Sequence, residues 1–119
     1  MKLLFVDDTR DTRDFFRFAF ELEDIDVSLA ESGSEAVEKV RAEEFDAIIM
    51  DVEMPVMGGW DAVRQIRLLS NGRKVPIVMY TGYSGDSLRQ KAKDAGADDI
   101  LFKPLLPHEI LSRIKHVRA

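Results

Sequence analysis

Polar residues of the kinds that bind metal ions and phosphoryl groups follow apolar runs at several points in the sequence. Asp7 and Asp8 follow KLLFV, and Asp51 follows DAIIM. Thr81 ends the run VPIVMYT, and Lys103 ends DDILFK. If these residues meet, three carboxylates will repel one another unless a cation or protons neutralise them. A hard divalent ion with oxygen ligands meets that need, and Mg²⁺ is the best candidate.

The same residue types suit phosphoryl transfer. Three acids and Lys103 sum to −2, so one divalent ion would make the set neutral. A carboxylate can act as the nucleophile and form an acyl phosphate, while a lysine ammonium and a threonine hydroxyl bind the phosphoryl oxygens. Each acid taken singly could instead be a helix cap, and Asp8 in particular could cap the first helix.

The elements that must position these residues repeat one pattern, in which a short apolar run precedes a helix-like stretch. We predict five strands, near residues 2–7, 26–30, 46–51, 75–81 and 98–103. Apolar spacings of three and four predict five helices, the first through Phe15, Phe16, Ala19 and Phe20. Ser32 or Ser34 can cap the second helix, Ser84 with Ser87 can open the fourth, and Gly96 can end it.

The pattern predicts an α/β fold with a parallel sheet. Residues 46–50 and 75–80 are apolar on both faces, which suits strands covered on both sides by helices. Alternating strands and helices imply right-handed crossovers in an open sheet. In such doubly wound sheets, ligands bind beyond the carboxyl ends of the strands, where the chemistry-bearing residues lie.

Composition narrows the function further. The 119 residues fit a single domain, residues 1–119, and they include no Cys and two His, which argues against disulfides, thiol catalysis and most zinc sites. The net charge of −5 is the wrong sign for general nucleic-acid binding. The first apolar run is too short for a signal peptide or membrane span, so we expect a cytoplasmic protein.

Taken together, these motifs resemble the receiver domains of two-component response regulators. The matching features are FVDD at residues 5–8, IIMDVEMPVMGG at 48–59, Thr81-Gly82, and FKPL at 102–105. The resemblance covers essentially the whole chain. It implies a flavodoxin-like three-layer (βα)5 sandwich with strand order 2-1-3-4-5.

By position, the resemblance implies a role for each residue of the set. Asp51 is the phosphoacceptor, and Thr81 and Lys103 contact the phosphoryl group. Asp7, Asp8, Asp51 and the backbone carbonyl of Glu53 hold Mg²⁺. A cis peptide bond between Lys103 and Pro104 is also implied. The protein is then a phosphorylation-activated switch rather than an enzyme, although it assists its own phosphorylation and dephosphorylation.

The resemblance also implies partners. A histidine kinase or histidine phosphotransfer protein supplies the phosphoryl group. The surface of the fourth helix, fifth strand and fifth helix, roughly residues 84–117, controls an unidentified protein target. We expect no direct nucleic-acid or membrane binding, and either a monomer or a phosphorylation-dependent dimer. The chain leaves no room for an output module, so it is either a stand-alone receiver or a domain of a longer protein.

Some residues depart from the common receiver pattern. Ile100 occupies the fifth-strand place where many receivers carry an aromatic switch residue, and Tyr83 is the candidate replacement, as in a receiver subgroup with Thr-Gly-Tyr. Glu53 and Tyr83 are expected to hinder water attack on the acyl phosphate and so to lengthen its lifetime. Phe18, at the edge of the first helix's apolar arc, is a candidate partner contact.

Three other classes of protein share part of this pattern. A flavodoxin-like mononucleotide binder needs backbone amides and hydroxyls after the first strand, where Asp7 and Asp8 would repel phosphate. A haloacid-dehalogenase-like phosphatase carries its two acids two residues apart on the first strand, whereas here they are adjacent. A receiver-shaped adaptor that works without phosphate typically lacks some of the five functional groups, and this chain has all of them.

Overall fold

The structure is a computed structural model that describes residues 1–118. Within that range five strands and five α-helices alternate along the chain. The strands are β1 (Lys2–Val6), β2 (Asp26–Ala30), β3 (Ala47–Asp51), β4 (Ile77–Thr81) and β5 (Asp99–Phe102). The helices are α1 (Arg10–Glu21), α2 (Gly33–Ala42), α3 (Gly59–Arg67), α4 (Ser87–Ala95) and α5 (Pro107–Arg118), and a 3₁₀-helix spans Ser70–Gly72.

The sheet has the predicted order. The strands pair in parallel as β2-β1-β3-β4-β5. The chain winds from β1 to one side through β2 and then to the other side through β3, β4 and β5. The carboxyl ends of β1 and β3 therefore form the point where the winding reverses, which is where ligands bind in open α/β sheets. The predicted fold class is confirmed.

Two apolar cores cover the sheet, because successive side chains of a strand point to opposite faces. In β3, Ala47 and Ile49 join the cluster formed with α1 and α5, while Ile48 and Met50 join the cluster formed with α2, α3 and α4. All five residues of β3 and of β4 are buried. This two-sided burial explains why both strands are apolar throughout and holds their carboxyl ends firmly in place.

Several helix ends follow the predicted local signals and others do not. Ser32 caps α2 by accepting a hydrogen bond from the Glu35 amide at 3.1 Å, and Gly96 ends α4 with a φ of 106°. Asp8 does not cap α1, because the N-cap position is Thr9 and no side chain caps it. α4 begins at Ser87, one of the two serines predicted to open it, but Ser84 lies before the helix and the N-cap is Asp86.

The apolar face of α1 is narrower than its sequence suggests. Phe16 and Phe20 are buried, but Phe15, which the spacing places in the core, is 55% exposed. Phe15 packs only edge-on against Phe16, with ring centroids 5.2 Å apart. Phe18 is 67% exposed.

Of the helices in residues 1–118, none combines the length and apolar character needed to cross a bilayer.

Candidate functional site

Three acids meet where the sheet reverses its winding. Asp51 is the last residue of β3, and Asp7 and Asp8 follow β1, the neighbouring strand. Carboxylate oxygens of the three lie within 4.8 Å of one another. Asp7 and Asp51 are each 2% exposed, whereas Asp8 is open to solvent. The sequence placed these acids on one edge, and the structure brings them together.

Lys103 and Thr81 lie at the same carboxyl edge of the sheet as the acids, and we call this edge the rim. Thr81 ends β4, and Lys103 follows β5. The Lys103 ammonium donates to Asp51 Oδ1 at 3.2 Å. Thr81, the buried last residue of β4, accepts at its carbonyl a hydrogen bond from the Lys103 amide at 2.7 Å. The Lys103–Pro104 peptide bond is cis, as the receiver resemblance implied.

Glu53 joins Thr81 to Asp51. Its amide donates to Asp51 Oδ1 at 3.1 Å. Its side-chain Oε1 accepts from the Thr81 hydroxyl at 2.5 Å and from the Gly82 amide at 2.8 Å. The other oxygen, Oε2, is buried and has no hydrogen-bond partner within residues 1–118. The Glu53 side chain therefore takes part in the site, whereas the receiver resemblance implied a role for the backbone carbonyl of this residue only.

The acids of the site perturb one another's ionisation. Burial, the adjacent Glu53 carboxyl and the charge of Asp7 raise the pKa of Asp51 to about 8, although Lys103 acts in the opposite direction. Burial opposes ionisation of Glu53, but hydrogen bonds from Asp51, Thr81 and Gly82 outweigh it and lower the pKa of Glu53 to about 2. In the absence of a cation, Asp51 is thus the member of the pair that holds a proton.

Two residues of the site were missed by sequence reasoning. The Tyr80 hydroxyl donates to Asp7 Oδ2, and burial followed by this hydrogen bond raises the pKa of Tyr80 far above its ordinary value. The Arg13 side chain donates to the Asp7 carbonyl at 2.7 Å. Its side chain is only 13% exposed and lies 3.7 Å from the carboxylate of Glu31, which is itself 67% exposed.

The residues present fit a divalent cation. Asp7, Asp8 and Asp51 each offer one carboxylate oxygen close to the other two, and carboxylate oxygens are the ligands that Mg²⁺ prefers. Burial is the largest cause of the raised pKa of Asp51, and the nearby carboxyls of Glu53 and Asp7 add to it. A bound cation would favour the charged form of Asp51 and so oppose these effects.

The two residues that depart from the receiver pattern occupy different environments. Ile100 is 1% exposed and packs in the core that faces α4. Tyr83 is 64% exposed, and its amide donates to the Thr81 hydroxyl oxygen at 3.0 Å. Its backbone is therefore tied to the rim while its ring lies in solvent.

Fold and site together define an α/β signalling domain with an acidic pocket at the carboxyl edge of its sheet. The family model described as "Response regulator receiver domain" matches residues 3–115. The chain belongs to the response regulator receiver domain family. Receiver domains of this family act as switches in two-component signalling rather than as enzymes.

Curated relatives carry the same domain within chains of different length. The response regulator MprA of Mycobacterium leprae is 40% identical over 115 residues, which cover 97% of this chain and 50% of that protein. A 14.6 kDa protein of Leptolyngbya boryana is 35% identical, with coverage of 97% of this chain and 88% of that protein. The chain thus spans about half the length of the MprA relatives.

Solved structures agree with the fold. The chemotaxis protein CheY4 of Vibrio cholerae superposes with a TM-score of 0.92 at 34% identity, covering 98% of this chain and 97% of that one. The receiver domain of the sensor histidine kinase PA1611 of Pseudomonas aeruginosa gives a TM-score of 0.89 at 30% identity, covering 98% and 96%. That receiver domain holds a magnesium ion in its active site cleft.

Proposed function

We propose that residues 1–119 form one receiver domain that takes a phosphoryl group on Asp51 in a Mg²⁺-dependent step. The observation that carries this proposal is the convergence of Asp51 with two further acids and with the Lys103 ammonium, 3.2 Å from Asp51 Oδ1. An acid in that setting is flanked by the positive charge that an incoming phosphoryl group requires. Asp51 is therefore the nucleophile.

The transfer requires little beyond positioning and charge. An Asp51 oxygen attacks phosphorus, the bond from phosphorus to the donor histidine nitrogen breaks, and the electron pair stays with the imidazole. Lys103 and Thr81 bind the phosphoryl oxygens, which requires the Thr81 hydroxyl to turn from Glu53. Asp7, Asp8, Asp51 and the Glu53 carbonyl would hold Mg²⁺, which supplies positive charge against the acids and the phosphoryl oxygens.

The experiment is intact mass spectrometry after incubation with acetyl phosphate or a phosphorylated donor protein. We expect the wild type to gain one phosphoryl group with Mg²⁺ and none with EDTA. Asp51→Asn should gain none under either condition. Labelling that persists in Asp51→Asn, or that is independent of divalent ions, would contradict the proposal. An unlabelled wild type that still binds a partner would favour a phosphate-independent adaptor.

The output surface is proposed to lie on α4, β5 and α5. Asp99, the first residue of β5, lies 2.5 Å from Arg113 of α5 and 3.9 Å from Arg89 of α4. One carboxylate therefore links the three elements. Because Lys103 follows β5 and Thr81 ends β4, a phosphoryl group that draws them inward would move this surface, which requires a second state that binds phosphate better.

The partner that supplies the phosphoryl group is proposed to dock on α1 and the loop before α5. Phe15, Phe18 and Leu22 are exposed apolar residues on α1, and Leu106 of the loop is 55% exposed. We expect Phe18→Ala to slow phosphotransfer from a histidine phosphotransfer protein but not labelling by acetyl phosphate. Equal slowing with both donors would place the effect of Phe18 in the site instead.

The proposal also covers the kind of target, the oligomeric state, the location and the switch residue. The target is a protein rather than nucleic acid, in keeping with the net charge of −5, and the active form is a monomer or a phosphorylation-dependent dimer. The proposal includes a cytoplasmic location, which agrees with the short first apolar run. A changed Tyr83 rotamer with Mg²⁺ and beryllofluoride would support its role as the switch residue, and an unchanged rotamer would remove it.

A further inference from the structure

One aromatic side chain contacts two of the groups on which the proposed function depends. Tyr80 is the fourth residue of β4, in the otherwise aliphatic run IVMYT. Its hydroxyl donates to Asp7 Oδ2, and its ring lies 4.5 Å from the Lys103 ammonium. Asp7 and Lys103 follow β1 and β5, so one residue on β4 bridges both.

The surroundings of Tyr80 keep its ring in place. The residue is 2% exposed, and its ring stacks on Phe5 with centroids 5.6 Å apart and planes 28° apart. Phe5 in turn stacks on Phe16 at 4.8 Å. A ring fixed by stacking can hold a polar partner in one direction, because its hydroxyl has little freedom to follow the partner.

The hydroxyl controls the carboxylate of Asp7. Asp7 Oδ1 accepts the Thr9 amide at 2.7 Å, and Oδ2 accepts the Tyr80 hydroxyl. With one donor on each oxygen, the carboxylate plane is fixed, and each oxygen keeps further lone pairs for a cation. Partners of this kind orient metal ligands, and their loss typically weakens metal binding.

The ring face controls the ammonium of Lys103. A cation over an aromatic face is attracted by the ring quadrupole. The ring face therefore gives a flexible four-carbon side chain a preferred place, from which its ammonium reaches Asp51 Oδ1 at 3.2 Å. An aliphatic residue at the same point of β4 would fill the space but would provide neither contact.

We propose that Tyr80 is a positioning residue, whose hydroxyl orients the Asp7 carboxylate for Mg²⁺ and whose ring seats the Lys103 ammonium beside Asp51. This inference rests on the proposed phosphoacceptor function. The hydroxyl and the ring of Tyr80 have different roles in it. A hydroxyl deletion and a ring deletion therefore affect different measured quantities.

The first experiment measures Mg²⁺ binding alone by NMR titration of wild type, Tyr80→Phe and Ser70→Ala. Tyr80→Phe keeps the stacked ring and removes the hydroxyl, so we expect the Mg²⁺ Kd to rise about tenfold. Ser70→Ala removes an exposed hydroxyl from the 3₁₀-helix before β4, away from the acids, and should stay within twofold of wild type. A Tyr80→Phe Kd within twofold of wild type would overturn the role of the hydroxyl, because simple packing by the ring predicts no change.

The second experiment follows the rate of labelling by acetyl phosphate against Mg²⁺ concentration. We expect Tyr80→Phe to raise the half-saturating Mg²⁺ concentration and to leave the limiting rate within twofold. Tyr80→Leu should also lower the limiting rate, by about tenfold or more, because Lys103 loses its seat. Equal limiting rates for the two variants would overturn the role of the ring.

A measurement on the wild type keeps the ring proposal testable if Tyr80→Leu does not fold. Protons next to the Lys103 ammonium should show an upfield ring-current shift that Tyr80→Phe retains. Ordinary shifts for those protons would overturn the seating of Lys103. If the wild type binds Mg²⁺ and is phosphorylated, and Tyr80→Phe has the same Mg²⁺ Kd, this inference alone is wrong. If the wild type neither binds Mg²⁺ nor is phosphorylated, the proposed function is wrong.

Discussion

The Glu53 carboxylate occupies hydrogen-bond donors that a phosphoryl group on Asp51 would use. Its Oε1 accepts both the Thr81 hydroxyl and the Gly82 amide. Phosphorylation must displace it from Thr81, yet the anion stays two residues from the acyl phosphate. A negative charge there repels a hydroxide-like nucleophile, and the exposed Tyr83 ring can screen the same approach.

We therefore expect the acyl phosphate to be short-lived when both side chains are replaced. The variant Glu53→Asn/Tyr83→Ala should lose phosphate about three- to tenfold faster than wild type, which is roughly 1 kcal/mol in the barrier. Intact mass measured over time after removal of the donor gives the decay rate. Glu44→Gln, an exposed acid before β3, is the matched control. A double variant that decays no faster than wild type would contradict the argument.

Sequence could predict the acids of the site but not all of their contacts. Asp7, Asp8 and Asp51 stand at strand ends, so a parallel sheet places them on one edge, and the strand order implied by the receiver resemblance puts β1 beside β3. The contact from Tyr80 to Asp7 joins residues 73 positions apart, and it depends on the side-chain direction within β4. Glu53 likewise reaches Thr81 across 28 positions. Neither contact leaves a local sequence signal.

The loop from β3 to α3 contains a residue in a conformation that its side chain disfavours. Val56 has a φ of 66° and is fully exposed. A β-branched residue in the left-handed region is strained, and no burial offsets that strain here. We expect Val56→Gly to stabilise the fold by about 1 kcal/mol in urea unfolding, because glycine adopts this φ freely. Val56→Ala, which keeps a Cβ, should recover less, and a destabilised Val56→Gly would refute the account.

The start of α3 is pressed against the end of β3. A Cβ at Gly59 would overlap the carbonyl oxygen of Asp51, whereas a Cβ at Gly58 would find its nearest neighbour, the Val52 carbonyl oxygen, at 3.5 Å. We expect Gly59→Ala to destabilise the protein by about 2–4 kcal/mol, since the backbone of Asp51 must move. Gly58→Ala, the control, should cost less than about 1 kcal/mol. Thermal unfolding compares the two, and equal losses would count against this packing.

Element boundaries were predictable where one residue decides them. Gly96 marks the end of α4 because its positive φ disfavours other residues, and Ser32 caps α2 through its own side chain. α4 begins at Ser87 as predicted, but its N-cap is Asp86 rather than Ser84, and no side chain caps it. The position of Phe15 was predicted wrongly because only part of the apolar arc of α1 is covered. Phe16 and Phe20 are buried in the core, whereas Phe15 is 55% exposed.

Across the whole molecule, two apolar cores support a rim at which negatively charged side chains repel one another. Asp7, Asp51 and Thr81 are the buried polar or charged residues within the described part of the chain, and all lie at this rim. Like charges that are buried together destabilise the folded state unless a proton or cation offsets them. The site thus works against the stability that the cores provide. Divalent ions and pH should both change the free energy of unfolding.

The pH dependence follows from the raised pKa of Asp51, about 8. Between about pH 4 and pH 8 the folded protein holds a proton there that the unfolded chain has released, so stability must fall as pH rises through that window. We expect metal-free wild type to lose stability from pH 5 to pH 8. Asp51→Asn, which cannot ionise, should lack this loss and be more stable by about 1–3 kcal/mol at pH 8.

Urea unfolding in EDTA at pH 5, 6, 7 and 8 measures this difference, with Asp14→Asn as a control that removes an exposed carboxylate paired with Arg10 on α1. Mg²⁺ should then restore wild-type stability at pH 8, because an ion that binds only the folded state stabilises it by mass action. Asp51→Asn should gain less from the same Mg²⁺ concentration, since one oxygen donor of the set has lost its charge. A wild type whose stability ignores both pH in this window and Mg²⁺ would mean that Asp7, Asp8 and Asp51 carry no unbalanced charge, and the electrostatic basis of the site would fail.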